Sequence, residues 1–162
     1  MGTLYQYFPD KLALVSALLE RHLDEIESAF DSLATFLSSR PAPIDAVRSI
    51  VGRLFALNRG APEVHRTFFE RAPSSERLIA RWTRLEAKMM ADLARYFEGH
   101  ADDPAMSAYL AMSVIEMLAH RAALYGGPGS DDDGARSAAA IEEATITMIV
   151  RSLREPSAPT GS

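Results

Sequence analysis

Apolar residues recur along this chain at intervals of three and four with charged residues between them, and no stretch alternates with the period of two that marks a strand. The longest such row is Leu12, Val15, Leu19, Leu23, Ile26, Phe30, Leu33 and Leu37. It predicts a helix opened by Asp10 as cap, with Pro9 disfavouring helix at Phe8, and closed by Ser38-Ser39-Arg40-Pro41-Ala42-Pro43. About 28 residues at ~1.5 Å each make a rod of ~42 Å. A second helix is expected from about Ile44 to Arg59, with Val47, Ile50, Val51, Leu54 and Phe55 inward. Gly60-Ala61-Pro62 breaks it, and Glu63–Arg71 reads as a short helix carrying Val64, Phe68 and Phe69.

Pro73-Ser74-Ser75-Glu76 signals the next start, for a helix with Leu78, Trp82, Leu85, Met89, Leu93 and Tyr96 on one face and an end near Gly99. Asp103-Pro104 opens another, running through Met106, Tyr109, Leu110, Met112, Met117 and Leu124 to the stop at Gly126-Gly127-Pro128-Gly129. Asp131-Asp132-Asp133 places negative charge where the dipole of a last helix favours it. That helix carries Ile141, Ala144, Met148, Ile149 and Leu153, with Arg151 and Arg154 near its end. The Pro/Ser/Gly-containing stretch 155–162 is expected to be a disordered tail. The fold class is therefore all-α.

Composition narrows the function classes. The 162 residues suffice for one domain with a sizeable core, or for a small head on a larger body. Zero cysteines exclude disulfides and thiolate metal sites, which fits a cytoplasmic location. No apolar run reaches the roughly 18 residues of a membrane span, and Met1–Lys11 lacks the layout of a signal peptide. The formal net charge of -5, with acids and bases interspersed, gives no basic field for nucleic acid. Enzyme signatures are missing too: there is no Gly-rich phosphate loop, no Gly-x-Ser-x-Gly, no His-Glu-x-x-His and no thiol nucleophile. Neither an enzyme nor a cofactor is expected.

The first residues, Met1-Gly2-Thr3-Leu4-Tyr5-Gln6-Tyr7-Phe8-Pro9-Asp10-Lys11, expose more apolar and aromatic surface than so short a segment can bury alone. This stretch resembles the end of the TetR-family helix-turn-helix, in which Gly-Thr-Leu-Tyr-x-Tyr-Phe is followed by a turn and a Lys. The resemblance implies a remnant of a recognition helix over residues 1–9, and a ligand-binding and dimerisation domain over residues 10–154. It places Thr3, Tyr5, Gln6 and Lys11 where the family touches bases or phosphates of operator DNA. The family's first two helices are missing from this sequence, and Met1 stands where the family commonly has Val, a residue whose GTG codon also serves as a start. This chain alone is accordingly expected to be deficient in DNA binding. A ligand-responsive regulator, a repressor by family habit, is the function so implied. A DNA-independent dimerisation module that sequesters a full-length partner is the alternative.

The resemblance also implies a homodimer through the last two helices. Ala111, Ile115, Leu118, Ala119 and Ala122 on the penultimate helix offer small and apolar surface. On the last helix Ala138, Ile141, Thr145, Met148 and Ser152 form a seam, beside a second apolar face of Ile146, Ile149, Val150 and Leu153. For a small hydrophobic effector the candidate walls are Phe55, Phe68, Phe69, Trp82, Met89, Tyr109 and Met112. The polar groups are His65, Glu86, Glu116 and His120. Each has a plainer reading: the aromatic and Met residues as packed core, Glu116 and His120 as a surface pair one turn apart. Those two would be only half a metal site, and no metal is expected. His22 and His100 read as exposed.

Overall fold

The computed structural model describes residues 11–60, 76–125 and 134–153, and these form five helices. They are α1 (Lys11–Ser38), α2 (Pro43–Gly60), α3 (Glu76–Phe97), α4 (Pro104–Tyr125) and α5 (Gly134–Ser152). Each begins and ends within a few residues of where the caps and breakers place it. The predicted short helix at 63–71, the recognition-helix remnant and the tail lie outside the described residues.

Helix α1 packs on α2 and α3, α3 on α4, and α4 on α2, so four helices close a ring around one core. Helix α5 lies across α2 and α4, outside that ring. The α1 row predicted from periodicity is the buried row from Leu19 onward: Leu19, Leu23, Ile26, Phe30, Leu33 and Leu37. On α2, Val47, Ile50, Val51, Leu54 and Phe55 are buried as expected, joined by Ala46 and Asn58. On α3, Leu78, Leu85, Met89, Leu93 and Tyr96 face the core while Trp82 is half-buried.

Helix ends follow from local chemistry. Asp103 Oδ1 accepts the Met106 N–H at 3.0 Å, and Pro104 occupies the first helical position, where its missing donor costs nothing. Gly99, at φ 88°, ends α3 in the left-handed region that glycine enters without penalty. Helix α1 ends on the same geometry without glycine, since Arg40 sits at φ 51°. The strain of that backbone is offset by a latch: Arg40 Nη1 donates to the Tyr96 carbonyl at 3.0 Å and to the Glu98 carbonyl at 3.4 Å. The Tyr96 hydroxyl donates in return to the Pro41 carbonyl at 2.7 Å. Arg40→Ala keeps the strain and loses both bonds, and should cost about 1–2 kcal/mol in urea denaturation. Arg40→Gly should cost about 1 kcal/mol less, because glycine relieves the left-handed backbone. Equal losses in the two variants would mean that the backbone at Arg40 is unstrained.

The penultimate helix corrects the expected orientation. Its buried row is Ala108, Ala111, Met112, Ile115, Ala119 and Ala122, whereas Met106, Tyr109, Leu110 and Met117 are more than half exposed. The helix is apolar around most of its circumference, so period alone does not say which side faces in. The structure turns that row, four of its six residues alanine, toward the neighbouring helices and leaves the long side chains outside.

Candidate functional site

Helices α3 and α4 pack together with the half-buried Glu86 and Glu116 on them. Burial raises the Glu116 carboxyl to about 7, and the charge of Glu86 adds to the rise. A shift of this kind marks a carboxyl removed from water with a like charge nearby. One turn away on either side of Glu116 are Met112, fully buried, and His120, half-buried. Trp82 precedes Glu86 by one turn, and the buried Met89 follows it by three residues. At neutral pH such a carboxyl is divided between its two forms, so it can donate as well as accept a hydrogen bond.

The predicted pocket residues divide into three groups. Phe55, Met89 and Met112 are packed core, each about 1% exposed. Trp82, Glu86, Glu116 and His120 are half-buried. Tyr109 departs from expectation as a wall: it is 58% exposed, on the side of α4 that faces away from the core. His65, Phe68 and Phe69 lie outside the described residues, as do Thr3, Tyr5 and Gln6. Lys11 is the first residue of α1.

Two polar groups escaped the sequence reading. His22, expected to be exposed, is 3% exposed, and burial lowers its pKa against the opposing pull of Glu25. Its place was legible, since it lies three residues after Leu19 and four before Ile26 on the same stripe. Asn58 is equally buried; its Nδ2 donates to the Leu54 carbonyl at 2.9 Å, and its Oδ1 finds no hydrogen-bond partner among the described residues. It follows Leu54 and Phe55 by four and three residues, which is the inward stripe of α2. His100 is half-buried rather than exposed, its ring stacked on Tyr96 with centroids 5.4 Å apart. Among the described residues no group of three or more His, Asp or Glu is placed to hold a metal ion.

The residues expected at a dimer interface fall mostly inside the single chain. Ala111, Ile115, Ala119, Ala122, Ala138, Thr145 and Ile149 are buried in its own core. Leu118 and Ile141 are half-buried, and Met148 is 48% exposed. The apolar surface left open on this side is Met106, Leu110 and Met117 on α4 with Met148 on α5. Between the two helices runs a groove of about 220 Å³, lined by Leu110, Val114, Met148, Ser152 and Leu153 above the buried Phe97.

The described residues thus form a ring of four helices with a perturbed carboxyl on its flank, and a fifth helix edging an open apolar face. The sequence from 43 to 153, which spans α2 to α5, matches the description "Tetracyclin repressor-like, C-terminal domain". The chain therefore belongs to the TetR family of transcriptional regulators. Comparison with curated proteins and with solved structures finds no match. No helix among the described residues is long and apolar enough to cross a membrane.

Proposed function

We propose that this chain is the sensing and dimerising body of a ligand-responsive repressor, taking a small effector with an apolar body between α3 and α4. The observation that carries the reading is the match over 43–153 to the C-terminal domain of tetracycline-repressor-like proteins. The Glu86–Glu116 pair supports it, because a carboxyl kept near neutrality in an otherwise apolar flank costs stability that a ligand can recover. Trp82 and Met89 supply apolar contact, Glu116 and His120 orient the ligand, and Glu86 tunes the charge of Glu116. In this reading two copies pair through the open faces of α4 and α5. The DNA contacts fall to Thr3, Tyr5, Gln6 and Lys11, at the head end of α1.

The sensing half is tested by melting the protein with a panel of small aromatic amines and neutral aromatic compounds. At about 100 times its Kd, a ligand for the folded state adds ~2.7 kcal/mol. For a chain of this size that is a rise of roughly 5–10 °C in Tm. At least one compound is expected to raise the melt of the wild type and to lose most of that rise in Glu116→Gln. An equal rise in both proteins would put the effector elsewhere, and a panel that moves neither would speak against a sensing interior.

A further inference from the structure

Among the described residues three polar side chains are buried: His22, Asn58 and Thr145. The Thr145 hydroxyl donates to the Ile141 carbonyl at 2.7 Å, within its own helix. Asn58 is satisfied on one side only. Its Nδ2 donates to the Leu54 carbonyl at 2.9 Å, and its Oδ1 has no hydrogen-bond partner among the described residues. Chemistry settles which end of the amide is which, because a carbonyl only accepts and so must face the amide nitrogen. What is left over is an acceptor. In a residue 3% exposed, an acceptor without a donor costs stability that the apolar neighbours cannot return.

Asn58 and His22 stand at the same end of the helical ring. The outer groove between α1 and α2 is lined by Arg21, Glu25, Leu57 and Gly60, which sets Asn58 level with His22. The Glu20–Arg77 and Asp24–Arg81 pairs put that level at residues 77–81 of α3, next to Trp82. Helix α4 returns antiparallel to α3, with Phe97 beside Ser107 and Ala111, and with Glu86 acting on Glu116 further along. The same register sets His120 opposite Trp82. All four helices of the ring therefore bring a side chain with polar atoms to this end. The opposite end, under the Arg40–Tyr96 latch, is filled by Leu33, Leu37, Val47, Leu93 and Phe97.

We infer that the Asn58 carboxamide oxygen is a hydrogen-bond acceptor for the effector, which must bring an N–H or O–H donor to this end of the ring. The inference rests on the sensing reading above and adds to it the chemical class of the ligand. Aromatic primary amines and phenols fit, since they join a donor to an apolar body that Trp82 can cover. A ligand that only accepts, such as a carboxylate or a phosphate, would set oxygen against oxygen at Asn58 and leave the acceptor unmet. Asn58 thus acts as a specificity residue on α2, distinct from the carboxyls of α3 and α4.

The test is calorimetric titration of the full chain with matched probes: an aromatic primary amine beside its dimethylamine, and a phenol beside its methyl ether. In wild type the donor-bearing member of at least one pair is expected to bind roughly tenfold tighter. In Asn58→Leu the two members of that pair should bind alike, and a preference of unchanged size would overturn the inference. Melting without any compound is read beside it. Asn58→Leu, or Asn58→Val where leucine crowds the site, removes the unmet acceptor, and the free chain should gain roughly 2–4 °C in Tm. A fall in both variants would mean that the oxygen is already satisfied, and would sink the acceptor alone. A rise with no compound bound by wild type would instead sink the sensing reading, and the ligand role with it.

Discussion

Replacing Leu110 and Met117 together by Asp is expected to leave a folded chain that no longer dimerises. Both side chains are more than half exposed in the single chain, at 54% and 56%, so the substitutions remove little from its own core. In a two-fold dimer through α4 and α5 each residue enters the interface twice, so two substitutions place four carboxylates there. An unpaired charge taken out of water costs several kcal/mol, far more than the ~1–2 kcal/mol that half a Leu or Met side chain gains on burial. Sedimentation velocity should therefore show wild type as a species of twice 17.7 kDa and the double variant as a monomer at the same concentration. The helical circular dichroism of the two should match. A variant that still sediments as a dimer would move the interface off this face.

Glu116→Gln is expected to stabilise the protein, and to do so only toward high pH. The folded-state value of about 7 lies above the ordinary 4.5, so the folded chain holds this proton more tightly than the unfolded one does. The stabilisation that goes with the proton is complete below pH 4.5 and is lost as pH rises through about 7. Full linkage would amount to ~3 kcal/mol, and solvent screening of a half-buried group reduces it, leaving about 1–3 kcal/mol. Glutamine carries no such proton, so the variant should exceed wild type by that amount at pH 8 and equal it near pH 4.5. His22 works in the opposite direction: its pKa is lowered by burial, so stability is lost as pH falls below 6.5. That loss is common to both proteins and cancels in their difference. Urea midpoints at the two pH values check the expectation, and a gain of the same size at both would mean that the effect is packing rather than charge.

The helices of this fold were legible because their punctuation is chemical and local. Asp103-Pro104, Gly99 and the Ser38–Pro43 break act through backbone geometry that each residue dictates by itself. The α1 and α2 stripes were legible for a related reason, since charges on their outer faces leave one apolar side. Helix α4 offers no such contrast. Met106, Leu110 and Met117 look as inward as Ala111 and Ile115 until the packing of α2 and α3 against it selects the smaller set. Within the single chain the alanine row is buried, and the neighbouring row of long side chains is the one left exposed. The carboxyls of Glu86 and Glu116 lie 30 positions apart in sequence, and only the packing of α3 on α4 brings their charges to act on one another. His22 and Asn58 are polar residues on apolar stripes, and their spacing rather than their polarity matches their burial.

The central claim is that this helical body governs DNA binding in response to a small molecule, and operator titration tests it most directly. Fluorescence anisotropy on DNA flanking the gene would compare this chain with a version extended by the in-frame upstream codons, with and without a compound that raises its melt. The account predicts binding to that DNA, affinity that falls steeply with salt, and release by the compound. Binding that ignores the compound, or no binding by either form, would contradict it.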